Sequence, residues 1–258
     1  MELGIVVNAR EKPIEEQLDK AGELGFDFVE IVAEGPRADV NFLRGHHQEI
    51  RKAADENSLE LYLHLPWTLD IGSPYEEYRG AALDILKNLL ETGRKMNVGK
   101  ATVHPKSYQR YWDEEEVEEN IIDSLKELDK FSERKDIKLV VENTEEFDLL
   151  WFDDILQRTD LSMCLDTGHA ILNGYDEEEI TGFVEENMER ISHSHLNDNR
   201  RGEEDEHLSL GYGFVDLEQI IDSLKEMGWK GSLAIELFTE DMDYWDLSKR
   251  KVDDWLEE

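Results

Sequence analysis

Cys164-Leu165-Asp166-Thr167-Gly168-His169-Ala170 holds the pattern that decides the fold: a short apolar run ends on a carboxylate, and a glycine turn then offers a histidine. Five other apolar runs deliver a metal-ligand type of side chain at the same end: Tyr62-Leu63-His64, Thr102-Val103-His104, Val140-Val141-Glu142, His193-Ser194-His195 and Ala234-Ile235-Glu236. One buried histidine or carboxylate is ordinarily a hydrogen-bonded structural group. Six of them at the same end of six β-type runs describe strand termini converging on an ion.

Working outward, β-rich runs alternate with segments whose apolar residues recur at three and four spacing. The strands are expected near Leu3 to Val7, Phe28 to Val32, Leu59 to Leu65, Ala101 to His104, Lys138 to Glu142, Ser162 to Asp166, Ile191 to Leu196 and Ser232 to Leu237. The helices are expected over Ile14 to Leu24, Val40 to Glu56, Tyr75 to Met96, Glu115 to Lys135, Leu149 to Arg158, Glu177 to Met188, Leu217 to Met227 and Met242 to Leu256. Eight βα repeats predict an α/β fold, a (β/α)8 TIM barrel, with a metal site at the C-terminal ends of its strands. No glycine-rich phosphate fingerprint follows the first strand, where Asn8-Ala9-Arg10-Glu11 stands, and no linker divides the chain, so residues 1–258 are expected to form one domain. Alternation then points Tyr62, Thr102, Val140, Cys164, His193 and Ala234 into the barrel, and Leu63, Val103, Val141, Leu165 and Ile235 towards the helices. His193 is expected to support His195 from below.

The 258 residues hold 28 basic and 63 acidic side chains, a formal charge of −35, with 39% hydrophobic residues and one cysteine. No apolar stretch reaches the roughly 18 residues of a membrane span, and the N-terminus reads as a strand, not a secretory signal. With Cys164 inside an apolar strand, as a core residue, no disulfide framework exists, so a soluble cytoplasmic protein is expected. Acidic runs such as Asp113-Glu114-Glu115-Glu116 and Glu177-Glu178-Glu179 fall at helix starts along the whole chain, as on a halophilic protein of a high-salt cytoplasm. At ordinary ionic strength this charge disfavours nucleic acid and membrane as partners.

Mixed imidazole and carboxylate donors suit zinc, manganese, cobalt or iron(II), and the absence of sulfur argues against a closed structural zinc site. After the seventh strand comes a long loop from Asn197 to His207, followed by Gly211-Tyr212-Gly213; within it Asp205 and His207 stand two apart and could share an ion. Asp198 in the same loop could bind metal, but is read first as a residue that fixes the loop or a neighbouring histidine. Lys106, Arg110, Arg200 and Arg201 are the cations available to an anionic substrate, and Trp67, Tyr75, Tyr78, Tyr111 and Trp112 are rim aromatics able to stack on a sugar or a base. Loop packing is the preferred reading for Tyr75 and Tyr78, which also fit a helix start, and His46-His47 reads as surface.

Leu165-Asp166-Thr167-Gly168-His169, His195-Leu196-Asn197-Asp198, Asp205-Glu206-His207-Leu208 and Ala234-Ile235-Glu236, in this order, resemble the xylose-isomerase-like TIM barrel superfamily, which includes sugar phosphate isomerases and epimerases and the endonuclease IV (AP endonuclease family 2) enzymes. The resemblance spans Leu61 to Leu237. Likeness to the epimerases implies one divalent ion held by Glu142, Asp166, His195 and Glu236. Glu142 and Glu236 would then be catalytic, moving a proton next to a metal-polarised carbonyl, with His64, His104, Lys106, Trp67, His169, Arg200 and Arg201 binding a small sugar or sugar phosphate. Likeness to endonuclease IV implies up to three zinc ions on His64, His104, Glu142, Asp166, His169, His195, Asp205, His207 and Glu236, and phosphodiester hydrolysis. The segments after the first two strands, Asn8-Ala9-Arg10-Glu11-Lys12 and Ala33-Glu34-Gly35-Pro36-Arg37, do not resemble the loops that enter DNA in that family. The expectation is therefore a metal-dependent isomerase or epimerase, with an abasic-site-type phosphodiesterase as the alternative and a catalytically silent metal-binding member as a third class. Its oligomeric state is left open.

Overall fold

The computed structural model describes residues 1–10, 12–108, 111–202 and 204–257. Eight strands, β1 (Glu2–Asn8), β2 (Phe28–Val32), β3 (Glu60–His64), β4 (Val98–Val103), β5 (Lys138–Glu142), β6 (Ser162–Asp166), β7 (Ile191–Leu196) and β8 (Ser232–Ile235), pair in sequence order and close by β8 onto β1. Every pairing is parallel. The intervening helices are α1 (Ile14–Leu24), α2 (Val40–Glu56), α3 (Glu76–Lys95), α4 (Glu114–Glu133), α5 (Leu149–Arg158), α6 (Thr167–Leu172), α7 (Glu177–Asn187), α8 (Leu217–Glu226) and α9 (Asp243–Glu257).

Alternation along the strands sorts the apolar residues into two layers. Leu63, Val103, Val141, Leu165 and Ile235 join the large core between sheet and helices, which also takes the buried faces of the helices, such as Leu86, Leu89 and Leu90 of α3. Val6, Phe28, Val32, Tyr62 and Ala234 form a separate small cluster inside the barrel. Phe28 fits there only because β1 carries Gly4, where a Cβ would come within 2.3 Å of the ring.

The expected elements are all present, with shifted ends. β4 runs from Val98 to Val103 and β8 stops at Ile235, so His104 and Glu236 lie one residue beyond their strands. The short helix α6 was not foreseen: Asp166 ends β6 and also caps α6, accepting a 2.6 Å hydrogen bond from the His169 amide. Acidic first turns recur at α1, α3, α4 and α7, where the positive end of the helix dipole favours them. No described helix is long and apolar enough to cross a membrane.

Candidate metal centre

Parallel closure brings the C-terminal strand ends to one face, and there the sequence-predicted residues meet in three sets. Glu142 lies at their junction. Its Oε2 is 3.2 Å from His64 Nε2 and 2.9 Å from His104 Nε2, while its Oε1 is 3.2 Å from His195 Nδ1 and 3.5 Å from His169 Nδ1. A second set joins Glu142, Asp166, His195 and Glu236, and a third joins His169, Asp205 and His207; within each of these two, one ligand atom per residue lies within 4.8 Å of the others, as also for His64, Glu142 and His195. In the third set Asp205 Oδ2 stands 3.2 Å from His169 Nε2 and 2.6 Å from His207 Nε2.

The loop donating Asp205 and His207 is built for that position. Asp198 Oδ2 accepts from the amides of Gly211 and Gly213 at 2.8 Å, and Oδ1 accepts from Val215 at 3.1 Å, so Asp198 fixes the loop as the sequence suggested. His207 is not in an extended stretch: its φ of 44° is left-handed, and its ring stacks on Phe238 with centroids 4.0 Å apart. The His207 carbonyl takes the Phe238 amide at 3.0 Å, tying the loop to the segment after β8.

Burial governs the electrostatics. It raises the Glu142 carboxyl, but His195 and His104 overcome it and hold the group well below its ordinary range. Burial pushes Asp166 up to about 7, with Glu142 and Glu236 adding to the rise. Against burial, Glu142 raises His64 to about 9, and neighbouring acidic groups raise His169 and His195 well above the usual imidazole value. Burial lowers His104, while the raised Asp166, His64, His169 and His195 favour their protonated forms when no metal is bound. A divalent cation would replace those protons.

The donors fit such a cation. Asp205 Oδ1, His207 Nδ1 and Glu236 Oε2 are buried without a hydrogen-bond partner among the described residues, an arrangement costly unless another ligand completes it. Nitrogen and oxygen donors without an available thiolate suit zinc, manganese, cobalt or iron(II). Cys164 lies near His193 and His195, but burial raises its thiol and keeps it protonated, in keeping with a core role.

Above the sets lies a cavity of about 600 Å³ lined by His64, His104, Glu142, His169, Asp205, His207 and Glu236, while Asp166 and His195 are fully buried and do not line it. Trp67, Phe238, Lys106 and Arg10 border it. Lys106 Nζ sits 5.9 Å from the Trp67 ring and bonds Glu146 Oε2 at 2.5 Å. Arg200 and Arg201, expected near substrate, do not line the cavity: they pair with Glu206 and Glu177. Arg110 lies outside the described residues. Of the rim aromatics, Tyr75 and Tyr78 belong to the start of α3, and Trp112 packs against Tyr75 with centroids 5.6 Å apart.

Sequence reasoning missed three supporting residues. Asn197 Nδ2 donates to both oxygens of Asp166 at 3.0 and 2.9 Å, and Asn143 exchanges two bonds with the Asp166 backbone. Glu30 of β2 lies beneath His195 and also receives His193, so the support expected directly from His193 passes through this carboxylate. A lone charge at an inward position of an apolar strand was the available signal.

Residues 18–258 match the family model described as xylose isomerase-like TIM barrel. An uncharacterised protein of Methanocaldococcus jannaschii is 28% identical over 239 residues, covering 90% of this chain and 91% of its own. A probable endonuclease 4 of Aquifex aeolicus is 26% identical over 231 residues, covering 80% and 81%. Among solved structures, a D-tagatose 3-epimerase-like protein superposes with a TM-score of 0.86 at 25% identity over 100% of this chain and 97% of its own. A D-psicose 3-epimerase of Clostridium cellulolyticum H10 superposes at 0.81 with 20% identity over 99% and 98%, a likeness of fold.

Proposed function

Because the chain belongs to the xylose isomerase-like TIM-barrel family, in which both sugar epimerases and endonuclease 4 proteins are similar to it, we propose that it is a multinuclear divalent-metal hydrolase of a small phosphoester. The observation carrying this reading is the division of Glu142: each oxygen faces a different histidine group, so this one carboxylate could serve two sets of ligands. A proton-transfer enzyme working on one ion has no evident use for the additional set of His169, Asp205 and His207. His64, His104 and Glu142 would hold one ion, Glu142, Asp166, His195 and Glu236 a second, and the third set another. Bound there, such ions would supply Lewis acidity towards a phosphoryl oxygen and towards water.

The chain's own residues would do the rest. Lys106 and Arg10 at the rim would receive the anionic group, and Trp67 and Phe238 would cover the apolar faces of the remainder. The buried floor would keep bulk water away from the reacting group. With 63 acidic against 28 basic residues, a compact substrate suits the surface better than a long polyanion at moderate salt.

A sugar isomerase or epimerase is the second reading, favoured by the cavity and by the placement of Glu142 and Glu236 on the lining contributed by β5 and the end of β8. One carboxylate would take the proton from the carbon beside a carbonyl and the other would deliver a proton to the opposite face. Metal counting and turnover separate the two readings. The hydrolase is expected to retain about three zinc ions per chain and to release nitrophenolate from a bis-nitrophenyl phosphate. One retained ion, no hydrolysis and incorporation of solvent deuterium beside the carbonyl of a ketohexose would overturn it in favour of the epimerase.

A further inference from the structure

Glu30 is the charged side chain at the centre of β2 and is 0% exposed. Its carboxylate accepts three hydrogen bonds: Thr102 Oγ1 to Oε1 at 2.6 Å, and His193 Nε2 and His195 Nε2 to Oε2 at 2.8 and 3.1 Å. On the far side of His193, Nδ1 lies 2.7 Å from Ser232 Oγ and 3.1 Å from the Ser232 carbonyl oxygen, and Ser232 Oγ in turn receives Lys100 Nζ at 2.6 Å. An ammonium can only donate. A carboxylate, conversely, can only accept, so the His193 nitrogen that meets Glu30, Nε2, carries the hydrogen directed at it, whichever way the Ser232 hydroxyl turns.

The same logic applies to His195. Its Nδ1 faces Glu142 Oε1 at 3.2 Å, Glu236 Oε2 at 3.3 Å and Asp166 Oδ2 at 3.9 Å, while Nε2 faces Glu30 Oε2 at 3.1 Å. A metal ligand must present a lone pair, and which imidazole nitrogen does so is set by the hydrogen bond on the other. We propose that Glu30 is a positioning residue that holds His195 as the Nε2–H tautomer, leaving Nδ1 as the donor to the ion shared with Glu142, Asp166 and Glu236. This rests on the metal-binding reading above. Thr102 holds Glu30 through the other oxygen, so the carboxylate cannot swing away from the histidines without losing that bond.

The test is nitrogen-15 NMR of histidine-labelled protein, zinc-loaded at neutral pH and metal-free at alkaline pH, with chelator competition for zinc on wild type and Glu30→Gln. The expected wild-type spectra give His195 a protonated Nε2 in both states and a zinc-shifted Nδ1 in the loaded one. Glu30→Gln is expected to bind the ion of this set about 10–100-fold more weakly, to show mixed His195 tautomers when metal-free, and to leave the His169, Asp205 and His207 ion in place. Thr102→Val, which leaves both histidine bonds to Glu30, is expected to fall between the two in affinity. A wild-type His195 protonated on Nδ1 overturns the proposal even if Glu30→Gln fails to fold, and so does unchanged zinc affinity with an unchanged tautomer in Glu30→Gln. Protein that takes up no zinc overturns the metal reading instead, and the alkaline metal-free spectra still decide the role of Glu30.

Discussion

Glu142 meets four histidines at the barrel mouth, its two oxygens serving different histidine groups. Replacing one oxygen by an amide nitrogen would put a donor where a cation or an imidazolium has to approach. Glu142→Gln is expected to lose the ions of the first two sets and keep the one at His169, Asp205 and His207. His207→Ala is expected to do the opposite, losing only that ion. Elemental analysis after gel filtration reads both stoichiometries; equal loss from the two variants would mean that the three groups act as one indivisible centre. Activity should fall in Glu142→Gln by more than the roughly 100-fold that outer partners of a metal ligand command.

At the scale of elements, the turn from β6 into α6 places Asp166 and His169, and Gly168 makes it tight enough. A Cβ at residue 168 would lie 1.6 Å from Asn197 Oδ1, so the side chain holding both oxygens of Asp166 would have to move. Gly168→Ala is expected to cost about 1–3 kcal/mol as an overpacked site and to weaken the second ion more than the third. Denaturant midpoint at constant slope reads the first effect and chelator competition the second; an undisturbed Asp166 set would show that Asn197 is dispensable. The strands were legible in sequence because a period of two, ended by a ligand-type residue, leaves little alternative. Helix α6 was not, since Thr167–Leu172 is too short for a 3.6-residue period to declare itself. The approach of Asp205 and His207 to His169 was legible only as residue types, because it depends on Asp198 gathering amides from Gly211, Gly213 and Val215, and on a left-handed His207. Arg200 and Arg201 misled for a related reason: an acidic surface supplied Glu206 and Glu177 as nearer partners than any substrate.

For the whole molecule, a formal charge of −35 on 258 residues is a field that the fold must withstand. Acidic first turns gain locally from helix dipoles, and surface pairs such as Lys52 with Glu56 return little, so the net repulsion remains. Added salt shortens the Debye length from about 10 Å at 0.1 M to about 3 Å at 1 M, which separates neighbouring helices electrostatically. The metal centre behaves differently. Its carboxylates are buried, so bulk salt screens them weakly, and an ion present at about 100 times its Kd adds about 2.7 kcal/mol per site by mass action alone. Melting temperatures measured with and without chelator, at low and at molar potassium chloride, therefore form a square with two separate effects. Salt is expected to raise Tm in both rows, and chelation to lower it by a similar amount in both columns. If salt stabilised only the chelated, metal-free protein, the acidic surface would not be the source of the repulsion, and the charge that limits the fold would have to be that of the carboxylates around Glu142, which the bound ions neutralise.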